Sequence, residues 1–94
     1  MTNVINIKNA PRDWKINKQY AYIGRGSLFG NPYKINRYTT REESIKLFKD
    51  YFFNKITVNK NFRDNVESLK DKTLVCFCKP KDCHGDVIID YLDN

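Results

Sequence analysis

The sequence predicts a small α/β fold in which helices pack on a short central sheet. Three β-prone runs and three helical patterns follow one another in the order strand, strand, helix, helix, strand, helix. At 94 residues the chain has room for one hydrophobic core. We therefore expect a single α/β domain over residues 1–94, either Rossmann-like or a simplified α/β sandwich.

Two β-prone runs, Val4–Ile7 and Tyr20–Ile23, are the first predicted strands, and turn-forming residues end each of them. Four residues that favour turns then fall within nine positions, namely Gly24, Gly26, Gly30 and Pro32. Such a stretch is typical of a long irregular loop in which the backbone can approach a ligand closely. We expect this loop to contribute to a functional site.

The next predicted elements are two helices. Thr40 and Glu43 have the spacing of a capping box, so a helix should begin at Arg41. Its apolar residues recur at helical spacing and form one stripe, made by Ile45, Phe48, Phe52 and Ile56. A second, shorter helix is predicted around Phe62–Leu69.

The strongest strand pattern is Thr73–Cys78, which is almost continuously apolar. Such a run is typical of a strand buried on both faces, so it should lie at the centre of the sheet. Asp82 is the expected cap of a final helix. The inward face of that helix should consist of Val87, Ile88, Tyr91 and Leu92.

The net charge of +6 is distributed unevenly. By count, residues 1–41 carry +7 and the remaining residues carry −1. This asymmetry predicts an anion-attracting surface to which Arg12, Arg25, Arg37 and Arg41 contribute. A solvated lysine-rich surface is the alternative interpretation.

The three cysteines and the absence of a secretion signal argue against a disulfide framework. No run of apolar residues approaches the length of about 18 that a membrane span needs. We expect a cytoplasmic protein with free, metal-bound or reactive thiols. The composition excludes a collagen, a coiled coil and a secreted disulfide knot.

All three cysteines and the single histidine lie between Cys76 and His84. One hypothesis is a zinc site made by Cys76, Cys78, Cys83 and His84. The spacing disfavours it, because alternate strand residues stand about 6.6 Å apart and adjacent helical residues diverge by about 100°. We therefore expect no metal and no cofactor.

The second hypothesis places Cys83 and His84 at the start of the last helix, where the helix dipole favours negative charge. The dipole and the nearby Lys79 and Lys81 would lower the pKa of the Cys83 thiol. Cys83 is then a candidate nucleophile and His84 a candidate acid–base group, or both help to hold a phosphate. The arginine of a cysteine-phosphatase loop is absent, since Ile89 stands six residues after Cys83.

Five short motifs occur in this order: Tyr22-Ile23-Gly24-Arg25, Gly30-Asn31-Pro32, Thr40-Arg41-Glu42-Glu43, Cys76-Phe77-Cys78-Lys79-Pro80 and Cys83-His84-Gly85-Asp86-Val87. Together they resemble the family catalogued as domain of unknown function 4326, over nearly the whole chain. The resemblance implies a small α/β domain of bacteria and their phages with no settled biochemical role. It singles out Gly24, Arg25, Gly30, Asn31, Pro32, Cys76, Cys78, Pro80, Cys83 and His84. A shorter similarity links the start of the last helix to domain of unknown function 488.

The functional hypothesis is a binding module for a phosphate-bearing ligand, either a nucleotide, a nucleotide-derived signal or nucleic acid. The loops after the second and third strands should meet at the carboxyl edge of the sheet, where α/β proteins bind ligands. The expected ligand-binding residues are Gly24, Arg25, Gly26, Asn31, Cys78, Lys79, Cys83 and His84.

Two alternatives from other classes stay open. One is a small enzyme acting on nucleotides or nucleic acid through Cys83 or His84. The other is a zinc-stabilised interaction module, for example a phage protein that binds a host protein. The sequence does not fix the oligomeric state.

Overall fold

Three parallel strands form the sheet of the computed structural model, which describes residues 1–94. They are β1 (Asn3–Asn6), β2 (Tyr20–Tyr22) and β3 (Thr73–Cys76), arranged in the order β1-β3-β2. Because every pair is parallel, the carboxyl ends of all three strands lie at one edge of the sheet. The predicted small α/β fold is confirmed.

The last strand in the sequence is the central one, as its apolar run predicted. Leu74, Val75 and Cys76 have no exposed surface. Leu74 and Cys76 belong to the core cluster that the helices cover, whereas Val75 does not, so β3 is buried on both faces. Ile23 extends the pairing beyond β2, since its N–H donates to the Val75 carbonyl at 3.0 Å.

Strand β3 ends at Cys76, two residues earlier than the sequence predicted. The side-chain amide of Asn6 donates to the carbonyls of Phe77 (3.2 Å) and Lys79 (2.7 Å). These bonds replace the strand partners that the two carbonyls would otherwise need. Strand β1 likewise stops at Asn6, which caps a short 3-10 turn at Ile7–Asn9.

The helices are α1 (Arg41–Val58), α2 (Lys60–Glu67) and α3 (His84–Asp93). Helix α1 begins where the capping box predicted, and the Thr40 hydroxyl accepts the Glu43 N–H at 3.1 Å. Helix α2 begins two residues before the predicted start at Phe62 and ends two residues before the predicted end at Leu69.

The cap of α3 is Cys83 and not Asp82. The Cys83 thiol accepts the Gly85 N–H, and the Asp86 carboxylate accepts the Cys83 N–H at 3.2 Å. The chain thus forms a capping box with a cysteine at the first position, and Asp82 is left exposed before it.

The core lies between the sheet and the three helices. Phe48, Phe52 and Ile56 of the predicted α1 stripe are buried, while Ile45 is half-buried at the edge of the cluster. The other helices complete it with Phe62, Val66, Val87, Ile88 and Leu92. No helix of the structure is both long and apolar enough to cross a bilayer.

Candidate functional site

A pocket of about 450 Å³ lies at the carboxyl edge of β2 and β3. Three segments line it: the loop after β2, the segment that leads into α1, and the connection from β3 to α3. The two loops that the sequence placed at one crevice therefore meet there. The lining residues are Gly24, Arg25, Asn31, Tyr33, Lys34, Ile35, Arg41, Ser44, Ile45, Cys76, Phe77, Cys78, Asp82, Cys83 and His84.

Gly24 lies at the wall of the pocket, where the Tyr22 side chain leaves no room for a larger residue. A Cβ at this position would lie 2.5 Å from the Tyr22 hydroxyl oxygen and 2.7 Å from a ring carbon of the same residue. At Gly30, a Cβ would lie 2.8 Å from the Gly24 carbonyl oxygen. The two glycines thus allow the loop to fold back on itself, and Arg25 projects from the fold as an exposed residue.

Asn31 and Ser44 fix the segment that leads into α1. The Asn31 side chain donates to the Ser44 hydroxyl at 2.9 Å and accepts the Tyr33 N–H at 2.8 Å. The Ser44 hydroxyl in turn donates to the Tyr33 carbonyl. Asn31 therefore braces the loop and also lines the pocket.

Three cations from the stretch between β2 and the first turn of α1 line the pocket: Arg25, Lys34 and Arg41. None of them forms an ion pair, since the ion pairs of the structure are Met1–Asp71, Lys60–Asp64 and Lys79–Asp86. The guanidinium of Arg41 donates a hydrogen bond across the pocket to the backbone carbonyl of Asp82 at 3.1 Å, and this bond holds the side chain in place. The only carboxylate in the lining is that of Asp82.

Cys76 and Cys83 form a buried thiol pair at the pocket wall, with their sulfurs 3.3 Å apart. The thiol hydrogen bond from Cys83 lowers the pKa of Cys76, and the backbone amides of Lys79 and Cys78 act in the same direction. The same hydrogen bond raises the pKa of Cys83, and burial adds to the effect.

The expectation of a lowered pKa at Cys83 is therefore wrong. The helix start does supply the Gly85 N–H to its sulfur. However, Cys76 receives more hydrogen-bond donors, so the negative charge is more stable on Cys76 and Cys83 retains its proton.

His84 is a neutral, buried side chain. Burial lowers the pKa of its imidazole, against the opposing effect of the bond to Ile23. Its Nε2 lies 2.7 Å from the Ile23 carbonyl oxygen, which can only accept, so Nε2 carries the proton. Nδ1 then faces the Cys83 sulfur at 3.8 Å without receiving its proton, because Cys83 donates that proton to Cys76.

The backbone amides of Gly85 and Asp86, at the start of α3, already donate hydrogen bonds within the chain. The Gly85 N–H is bound to the Cys83 sulfur, and the Asp86 N–H donates to the Cys83 carbonyl at 3.0 Å. The first-turn amides expected to hold an anion are thus mostly engaged. The side chains of Arg25 and Lys34, by contrast, form no hydrogen bond or ion pair within the chain.

No group of three or more histidine, cysteine, aspartate or glutamate side chains is arranged to hold a metal ion. The four residues of the zinc hypothesis all line the pocket, but His84 Nε2 is bound to the Ile23 carbonyl and the two close sulfurs share a hydrogen bond. Their geometry does not form a tetrahedral zinc centre.

Six of the eight predicted ligand-binding residues line the pocket: Gly24, Arg25, Asn31, Cys78, Cys83 and His84. Gly26 and Lys79 do not. Gly26 has a φ of 90° in the loop, a conformation that favours glycine. Although partial burial acts to lower it, the pKa of Lys79 is raised by its 2.7 Å bond to the Asp86 carboxylate.

Sequence reasoning missed several residues of the pocket. Tyr33, Lys34 and Ile35 carry no motif signal, and only the fold of the loop before α1 brings them to the site. Phe77 was assigned to a buried strand, yet 61% of it is exposed. The early turn toward Pro80 was the available signal, because proline disfavours continuation of a central strand.

The family model described as Domain of unknown function (DUF4326) matches residues 5–94. The chain belongs to the DUF4326 family. The match includes every segment of the pocket, and it confirms the family resemblance of the sequence motifs.

A phage protein is similar to this DUF4326 chain. It is the uncharacterized 12.4 kDa protein in the nrdA-td intergenic region of Enterobacteria phage T4, which is 41% identical over 66 residues. The aligned region is 70% of this chain and 60% of the phage protein, so the chain spans well under the full length of that relative. No solved structure matches the chain significantly.

Proposed function

We propose that the pocket binds a phosphate-bearing ligand, either a nucleotide, a nucleotide-derived signal or the end of a nucleic acid. The observation that carries the proposal is the convergence of Arg25, Lys34 and Arg41 on one pocket without a carboxylate partner. Arginine and lysine in this setting make charge-assisted hydrogen bonds to phosphate oxygens.

The surroundings of the cations support an anionic ligand. All three belong to the segment of residues 1–41 that carries a net charge of +7, which favours the approach of an anion. The deeper wall, which includes the buried Cys83 and His84, carries no carboxylate that would repel an anion. The pocket also lies beyond the carboxyl ends of parallel strands, where α/β folds commonly bind ligands.

Isothermal titration calorimetry with pyrophosphate and a panel of nucleoside phosphates tests the proposal. Because a hydrogen bond to a charged group contributes about 1.5–3 kcal/mol, Arg25→Gln should weaken binding by roughly tenfold or more. Arg37→Gln is the matched control, since Arg37 is an exposed arginine of the same half that does not line the pocket. Equal affinities of the two variants, or no binding of any phosphate compound to the wild type, would refute the proposal.

A second candidate, a small enzyme acting on nucleotides or nucleic acid, is favoured by the thiol pair. Cys76 lines the pocket, and its lowered pKa favours the thiolate, which is the nucleophilic form of cysteine. In this candidate the nucleophile is Cys76, and Cys83 stabilises its thiolate by donating a hydrogen bond. The sequence had suggested Cys83 as the nucleophile.

The two candidates differ in what a conservative cysteine substitution does. If the protein is an enzyme, Cys76→Ser should abolish release of phosphate or base from a bound nucleotide and leave the affinity nearly unchanged. Cys78→Ser is the control, because the Cys78 thiol lines the same pocket without a hydrogen bond to either sulfur of the pair. Its backbone amide, which does act on Cys76, is kept in the variant. Wild-type protein that binds the nucleotide and leaves it intact on prolonged incubation would exclude the enzyme.

A further inference from the structure

Phe77 is a large apolar side chain exposed at the pocket, directly after the central strand. It is 61% exposed and belongs to the pocket lining. Its position is the first after the end of β3, at the edge where the three cations converge. A surface ring beside unpaired cations is suited to a ligand that is both aromatic and anionic.

The Phe77 ring packs against another aromatic side chain. Tyr22 contacts it edge-to-face, with centroids 6.1 Å apart and planes at 83°. Trp14 packs against Tyr22 in turn, with centroids 6.2 Å apart. The Phe77 carbonyl accepts the Asn6 side-chain amide at 3.2 Å, so the backbone of Phe77 is fixed as well.

Tyr22 also connects this ring to the phosphate side of the pocket. Its hydroxyl donates to the Arg25 carbonyl at 3.0 Å, so one side chain positions both Phe77 and the backbone of Arg25. Two more large side chains of the lining remain partly exposed, Tyr33 at 36% and Ile35 at 48%. The pocket therefore combines an apolar, aromatic rim with a cationic one.

We infer that the ligand is a nucleotide whose base stacks on Phe77 while its phosphate contacts Arg25. This inference rests on the proposed phosphate site and names the ligand class it takes. A free phosphate or a sugar phosphate leaves the aromatic rim exposed to water, whereas a base covers it. The cavity volume of about 450 Å³ lies within the range of about 300–1,000 Å³ that is usual for ligand pockets.

The decisive comparison uses adenosine 5′-monophosphate and ribose 5-phosphate, which share the sugar and the phosphate and differ in the base. Since base stacking on an aromatic side chain contributes about 1–3 kcal/mol, the wild type should bind the nucleotide roughly 5- to 150-fold more tightly. Phe77→Leu should remove most of this difference and leave the affinity for ribose 5-phosphate unchanged.

Phe53→Leu is the matched control, because Phe53 is an exposed phenylalanine of α1 that does not line this pocket. Equal binding of both compounds to the wild type, or an equal loss of both in Phe77→Leu, overturns the inference. If Arg25→Gln still weakens both compounds in that case, the phosphate site itself stands. If neither compound binds the wild type, both proposals fail.

Discussion

The Cys76 thiol has a lower pKa than the Cys83 thiol, because its sulfur accepts more hydrogen bonds. The sequence pointed to Cys83, because it stands at a helix start beside two lysines. In the folded chain, Cys83 donates its proton toward Cys76, which also lies near the Lys79 and Cys78 amides. Reactivity at this pair is therefore decided by the turn after β3 and not by the helix dipole alone.

At the same scale, His84 should make the stability of the protein depend on pH. Burial lowers the pKa of His84 in the folded state, so the unfolded chain binds more protons once the pH falls below the ordinary value of about 6.5. The contribution of His84 to the free energy of unfolding is therefore fully present above that value. This contribution should be lost toward lower pH, by up to about 1.4 kcal/mol per pH unit, until the pH reaches the pKa of His84 in the folded state.

Urea unfolding between about pH 5 and pH 8 measures this contribution. His84→Gln keeps a neutral donor for the Ile23 carbonyl, and its free energy of unfolding should change less over the acidic part of the range. The comparison uses the slopes of the two curves, so a constant loss of stability in the variant does not affect it. Parallel curves would show that His84 does not set the acid dependence.

At the scale of elements, the segment before α1 and the start of that helix hold the pocket together. Asn31 and Ser44 bind each other across this junction, and Arg41 reaches from the first turn of α1 to the Asp82 carbonyl. The position of Arg41 in the pocket therefore depends on the point at which α1 begins.

The Thr40 cap fixes that point. Thr40→Ala removes the acceptor of the Glu43 N–H and should lower the free energy of unfolding by about 1 kcal/mol. Thr57→Ala is the control in the same helix, because the Thr57 hydroxyl only donates back to the Phe53 carbonyl and alanine favours the helix interior. An equal loss in both variants would mean that the cap contributes nothing specific.

At the scale of the whole molecule, a polar contact joins the residue before β1 to the last residue of α3, 91 positions apart. The Asp93 carboxylate accepts the Thr2 backbone N–H at 3.0 Å and the Thr2 hydroxyl at 2.9 Å. The Thr2 hydroxyl also accepts the Asp71 N–H at 2.9 Å, so the contact includes the turn that precedes β3. Thr2 is buried, which shields these bonds from water.

Loss of this contact should destabilise the whole fold. Because hydrogen bonds to charged groups contribute about 1.5–3 kcal/mol, Asp93→Asn should lower the free energy of unfolding by about 1–2 kcal/mol. Asp90→Asn removes an exposed carboxylate from the same helix and should change stability by less than about 0.5 kcal/mol. Equal midpoints of urea unfolding in the two variants would contradict the prediction.

Local patterns in the sequence determined most of the elements. The capping box predicted the start of α1, the apolar run predicted the central strand, and the spacing of Phe48, Phe52 and Ile56 predicted the buried face of α1. These features depend on neighbouring residues and on the period of each element, which a single sequence displays directly. The family motifs were also visible at this level and led to the correct family.

Only the tertiary structure decided which residues share the pocket and in what chemical state. Arg25, Lys34 and Arg41 belong to the stretch between β2 and the first turn of α1, and the path of that stretch brings them to one pocket. Parallel strands place this stretch beside the connection from β3 to α3, and no local pattern encodes that meeting of two distant segments. The early end of β3 exposed Phe77, and it depends on side-chain bonds from Asn6, about 70 residues earlier. Burial of His84 and the sharing of a proton between two cysteines follow from the packing around them, because pKa values respond to neighbours in space and not in sequence.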